Sequence, residues 1–117
     1  MKFDSSAFLS ELEQLARSMG VKAFGVADLN KLRVKFPDLL KLLPGYYSRA
    51  IVSGIRLQKA VLKDIRNAPT PLYFHNYRQI NSQLDALALM IADRIQDAGD
   101  NALAIPASQI IKKDPMS

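Results

Sequence analysis

The one histidine of this 117-residue chain, His75, lies in the stretch PTPLYFHNYRQINSQLD at 69–85, flanked by Tyr73 and Tyr77 and followed by Arg78. An imidazole can exchange a proton near neutral pH, and an arginine among aromatic rings can meet an anion or stack on a base. The partners that would make either group a catalyst are missing. The chain has neither a second histidine nor any cysteine to complete a metal site, and no serine–acid pair stands at a spacing that suggests a nucleophilic triad. A neighbouring arginine also disfavours protonation of the ring. His75 and Arg78 are therefore candidates for contact with a substrate, a partner domain or a cofactor. The rings sit in a helical pattern, whereas single-strand readers place theirs on strands, which argues against base stacking.

Other chemistries are limited by what the sequence lacks. The segments GVKAFG and GYYSRAIVSG match neither the dinucleotide nor the nucleotide fingerprint, and no two carboxylates are spaced to suggest glycoside hydrolysis. The absence of cysteine excludes disulfides and any cysteine-ligated zinc or iron–sulfur centre within these residues. The net charge is +5 with a pI near 9.6, but the lysines and arginines are scattered and form no run, a pattern that serves solubility more than phosphate binding. MKFDSSAFLS has no apolar secretory core. LDALALMIADRI is interrupted by Asp85, Asp93 and Arg94 and is too short to cross a bilayer. These features lead us to expect a cytoplasmic protein without membrane contact.

The elements that must position these residues follow from periodicity and punctuation. Phe8, Leu12, Leu15 and Met19 share one face of a helix expected over 4–19, capped by Asp4, Ser5 or Ser6 and closed by Gly20. VKAFGVADL reads as a buried strand with Gly25 at a close approach or bulge. Asp28 then caps a helix in LNKLRVKF, Pro37 breaks it, and a short helical turn is expected in PDLLKLLPG. RAIVSGIRL (49–57) is a second strand and QKAVLKDIRN (58–67) a helix. Thr70 and Pro71 open the best-defined element, a helix from about 71 to 98 whose apolar stripe runs through Tyr77, Ile80, Leu84, Leu87, Ile91 and Ile95. NALAIPA (101–107) reads as a third strand. The expectation is one α+β or α/β domain over 1–117, with about three strands packed against helices.

Several of these stretches, in this order, resemble the amino-terminal part of epoxyqueuosine-reductase-like iron–sulfur proteins. The matching features are Gly25-Val26-Ala27, Pro44-Gly45, Ala50-Ile51-Val52, Tyr77, Asn81, Leu84-Asp85 and Ile105-Pro106-Ala107-Ser108. The resemblance implies a cobalamin-binding, nitroreductase-like domain followed by ferredoxin-like modules carrying two 4Fe–4S clusters, with electrons passing from cluster to cobalt to substrate. The family's GLGW stretch and cysteine clusters lie beyond the matched residues. The chain is thus expected to be the front part of a longer oxidoreductase, inactive alone, whose partner is the missing ferredoxin-like portion.

One departure stands out. Where epoxyqueuosine reductases proper carry an acid–threonine pair, this chain has Ala107-Ser108, and alanine cannot deliver a proton. The resemblance therefore does not extend to that tRNA-modification step. Ser108 and Gln109 offer hydrogen bonds to a corrinoid or substrate edge instead.

Two other readings remain open on sequence. A stand-alone interaction or oligomerisation module would use exposed apolar surface, with Ile110, Ile111, Met116 and the Ala88/Ala92 edge of the long helix as candidates. A small RNA-binding protein ranks third, on charge alone.

Overall fold

The computed structural model describes residues 6–38, 41, 43–63 and 70–107. Within them the fold is mixed α+β: α1 (Ser6–Ser18), β1 (Ala23–Asp28), α2 (Leu29–Lys35), β2 (Arg49–Gly54), α3 (Lys59–Lys63) and α4 (Pro71–Asp97). No helix is long and apolar enough to cross a membrane among the described residues.

The two long helices end alike. Gly20 follows α1 at φ 91° and Gly99 follows α4 at φ 99°, a left-handed conformation that costs glycine little. At α1 the Gly20 N–H donates to the Arg17 carbonyl and the Val21 N–H to the Ala16 carbonyl; at α4 the Gly99 N–H reaches Gln96 and the Asp100 N–H reaches Ile95. Each pair satisfies carbonyls that the helix alone leaves open. At the start of α4, Thr70 Oγ1 accepts the Tyr73 N–H at 3.1 Å ahead of Pro71. Asp28 Oδ1 accepts the N–H groups of Asn30 and Lys31 at the head of α2.

β1 and β2 form a two-stranded antiparallel sheet in which Phe24 faces Ser53, Val26 faces Ile51 and Gly25 faces Val52. The core joins Leu12 and Ala16 of α1, Val21, and Leu87, Ile91 and Ile95 of α4, with Phe24, Ile51, Ile55 and Ala102 packed around them. One face of the sheet thus lies on the α1–α4 pair. Leu12 and Leu87 are the largest side chains fully removed from water.

Several expectations need correction. The third strand is not formed: residues 101–106 carry no strand pairing, because their polar anchors are side chains of α4 rather than another strand's edge. Gly25 marks neither a bulge nor a close approach. The register runs unbroken through it, and nothing lies within 4 Å of the place a Cβ would occupy. The second strand stops at Gly54 instead of residue 57. The stripe on α4 is buried only in its C-terminal half, at Leu87, Ile91 and Ile95, while Tyr77 is exposed. The caps expected at Asp4 and Ser5, the helical turn in PDLLKLLPG and the end of the 58–67 helix fall wholly or partly outside the described residues.

Candidate functional site

Residues 100–107 fold back along α4 after the Gly99 turn. Gln96 Nε2 donates to the Ala102 carbonyl at 3.0 Å, and the Ala107 N–H donates to Asp85 Oδ1 at 2.7 Å. The lengths agree: the rise from Asp85 to Gln96 on a helix is about 16 Å, and an extended chain covers about 16 Å from Ala102 to Ala107. Two side chains on one helix therefore hold the segment straight. Between those anchors, Leu103, Ala104 and Ile105 make no backbone hydrogen bond with any described residue.

A cleft of about 500 Å³ opens between this segment and β2. Arg49, Ile51 and Ser53 line one side, and Ala88, Ile91, Ala92 and Ile95 of α4 line another. Tyr46 and Tyr47 stand at it with ring centroids 4.7 Å apart and planes tilted by 43°. Their loop is fixed by Arg33, whose guanidinium donates to the Tyr47 carbonyl at 2.6 Å and the Pro44 carbonyl at 3.0 Å. Desolvation raises the Tyr47 phenol above its ordinary pKa of 10.0, reinforced by the hydrogen bond and charge of Tyr46. No polar or charged side chain is fully buried among the described residues, and the cleft lining is mixed, with Ser48, Arg49, Ser53, Asp100 and Asn101 beside its apolar residues.

The structure sets His75 and Arg78 apart from this cleft. Both are exposed on the first turns of α4, and neither lines it. Their surroundings are aromatic: Tyr73 stacks on Tyr77 at 6.1 Å and meets Phe74 edge-on at 5.5 Å. Phe74 is exposed, so the rings do not all turn inward. Asn76 is structural, its Oδ1 accepting the Gln58 N–H at 3.2 Å. Ser108 and Gln109, and likewise Ile110, Ile111 and Met116, lie outside the described residues. Ala88 and Ala92 line the cleft, Ala88 half-buried and Ala92 buried, so this edge is not an exposed apolar patch.

With no thiol in the chain, a cysteine-bound iron–sulfur cluster has no ligands here. Among the described residues, no three acidic or histidine side chains are grouped to hold a metal ion. No protein-family model, curated protein or solved structure matches the chain.

Sequence reasoning missed Asp85 as a tether and Arg33 as a clamp. Asp85 stood out as a charge interrupting LDALALMIADRI and as half of the Leu84-Asp85 feature of the resemblance. A lone carboxylate in an apolar run is the kind of signal that points to a backbone partner, but the sequence does not say which one.

Proposed function

We propose that this chain is the amino-terminal part of a corrinoid-linked, iron–sulfur oxidoreductase resembling epoxyqueuosine reductase, and that it has no catalytic activity alone. The observation that supports this reading is the second face of the sheet. With Phe24 and Ile51 turned to the helices, Ala23, Gly25, Ala27, Ala50, Val52 and Gly54 form the opposite face. That face has no charged or polar side chain, and Val52 is 57% exposed. An antiparallel sheet with one side in water presents polar residues there, and this face presents none. A larger nitroreductase-like domain, with a covering layer on that face, meets this requirement.

Within that reading the chain contributes scaffold. The α1–α4 pair carries one side of the sheet, and the cofactor ligands come from elsewhere in the protein. Ser108 and Gln109 would stand near a corrinoid or substrate edge, with His75 and Arg78 meeting a neighbouring domain.

The test is to read the source gene in frame past Ser117 and purify the encoded protein. A glycine-rich stretch, two clusters of cysteine codons, and bound iron and cobalamin are the expected result. A stop codon after Ser117, a product without iron and cobalt, or a reduction catalysed by residues 1–117 alone would overturn the reading. An interaction module would then be the better account of the bare sheet face.

A further inference from the structure

The β1–β2 sheet has an outer edge on each strand, and the two are not equivalent. The Leu29 N–H donates to the Ser48 carbonyl, and this pair continues the β1–β2 register. Hydrogen-bonded and non-hydrogen-bonded pairs alternate along an antiparallel ladder. Ala23, Gly25 and Ala27 of β1 therefore direct their backbone groups to β2, while Phe24 and Val26 direct theirs outward. Among the described residues, no backbone hydrogen bond reaches Phe24 or Val26 from that side. Val26 is exposed, and the run from Ala23 to Ala27 has no charge and no proline, the devices that keep an edge strand from pairing. The outer edge of β2 is more crowded. Ile51 and Ser53 face the cleft, where Tyr46, Tyr47 and residues 101–105 stand beside them, and Arg49 is already engaged.

We infer that β1 is the edge at which two copies of this chain join, antiparallel to one another about a two-fold axis at Gly25. An isologous contact pairs residue i with residue j of the second copy and j with i, so few registers are allowed. Backbone groups must point across the junction from both strands, which sets even-numbered residues opposite even-numbered ones. With the axis at Gly25, Phe24 faces Val26 of the second copy and Val26 faces its Phe24, each pair exchanging both backbone hydrogen bonds. The same register sets Lys22 opposite Asp28 at both ends of the junction. An axis at Phe24 would set Lys22 opposite Val26, and an axis at Val26 would set Asp28 opposite Phe24. Charge complementarity therefore selects the Gly25 axis.

Both charged groups are placed to serve this contact. Lys22 and Asp28 are exposed, and neither forms an ion pair with a described residue. Asp28 caps α2 through Oδ1 alone. The other edge offers no such match: the stretch YYSRAIVSGIRL around β2 holds Arg49 and Arg56 but no acid. A contact of β1 with β2 of another copy is heterologous and does not close as a dimer. The joined sheet has the order β2, β1, β1, β2 and sets the two bare faces side by side. A six-residue strand is about 20 Å long, so the contact falls below the roughly 1,200 Å² of a stable complex. The dimer is accordingly weak, with a Kd of about 10 μM or higher. This inference does not rest on the oxidoreductase reading.

The experiment is sedimentation equilibrium of the 117-residue chain at concentrations up to about 1 mM, where a monomer–dimer equilibrium is expected. A monomer throughout, or assembly beyond the dimer, overturns the inference. Lys22→Glu sets like charges opposite one another at both ends and should raise the Kd about tenfold or more. Asparagine caps a helix as well as aspartate does, so Asp28→Asn added to Lys22→Glu removes the repulsion without disturbing α2. The double variant should recover about threefold of the lost affinity. Lys35→Glu makes the same change of charge at the far end of α2 and should leave the Kd within about twofold. An unchanged Kd in Lys22→Glu, an equal loss in Lys35→Glu, or no recovery in the double variant overturns the inference. Residue-resolved hydrogen exchange then reads the edge directly. Exchange at the Phe24 and Val26 amides should slow as concentration rises, with Ile51 and Ser53 unaffected. Slowing confined to Ile51 and Ser53 would assign the dimer to β2 and overturn the inference.

Discussion

Asp85 and Ala107 are joined by a 2.7 Å hydrogen bond from the Ala107 backbone N–H to the Asp85 carboxylate. This contact and the Gln96–Ala102 bond are what hold the 101–107 segment along α4. Asp85→Ala should free the distal end of the segment. Hydrogen bonds to charged groups contribute about 1.5–3 kcal/mol when sheltered, and Asp85 is exposed, so about 1 kcal/mol is expected. Urea denaturation measures it, and Asp85→Asn, which keeps an acceptor, should lose less. An unchanged midpoint in Asp85→Ala would show that the segment is held by its apolar side chains instead.

Leucines on the same helix should differ sharply in cost. Leu87 is 1% exposed at the centre of the core, whereas Leu89 is 59% exposed. Leu87→Ala leaves a cavity among Leu12, Val21 and Ile91 and should cost about 2–5 kcal/mol. Leu89→Ala should stay within about 0.5 kcal/mol. Comparable losses at both positions would mean that α4 is covered on its second side in solution.

His75 and Arg78 are expected to be dispensable for folding. Both are exposed at the start of α4 and form no part of the core. His75→Ala and Arg78→Ala should each change stability by less than about 0.5 kcal/mol. A larger change in thermal or urea unfolding of residues 1–117 would give them a structural role in place of a contact surface.

Local chemistry was legible in the sequence and long-range partnership was not. Thr70 before Pro71, Asp28 before LNKLRVKF, and Gly20 and Gly99 each act within a few residues, and each does what its type dictates. Phe8, Leu12, Leu15 and Met19 also share a face as their spacing requires. The errors lie where the answer depends on a distant neighbour. The β-branched and apolar run NALAIPA has strand character, yet a strand needs an edge to pair with, and β2 stands across a cleft. Tyr77 fits the helical stripe, but α4 outruns the core it packs on. The cleft itself has no sequence signature, since its residues come from three separate stretches of the chain.

Stability at alkaline pH should carry the mark of Tyr47. Desolvation, aided by Tyr46, raises its phenol above 10.0 in the folded state. The unfolded chain therefore gives up this proton first as pH rises. The contribution is fully present below pH 10 and is lost as pH climbs through the folded pKa. Tyr47→Phe cannot ionise, so its stability should fall less steeply than the parent's between pH 9 and the folded pKa, values set by the ordinary tyrosine range of about 10. Parallel slopes for the two proteins in pH-dependent urea melts would mean that Tyr47 titrates as a free tyrosine.

Gly25 reports on whether the bare sheet face is covered in the complete protein. Its backbone does not adopt positive φ, and an added Cβ would meet nothing within 4 Å. A glycine inside a strand costs roughly 0.5–1 kcal/mol relative to alanine, so Gly25→Ala should stabilise residues 1–117 by about that amount. In a longer protein whose second layer lies on Ala23, Gly25 and Val52, the same methyl meets packed atoms, and overpacking typically costs about 1–3 kcal/mol. The sign of the effect should therefore reverse between the two proteins. Val52→Lys adds an independent check: it should be tolerated in residues 1–117, where Val52 is exposed, and destabilise the longer protein by burying a charge without a partner. Equal denaturation shifts in both proteins for both substitutions would show that the face stays in water, and the sheet would then have to be explained as a surface for transient contacts.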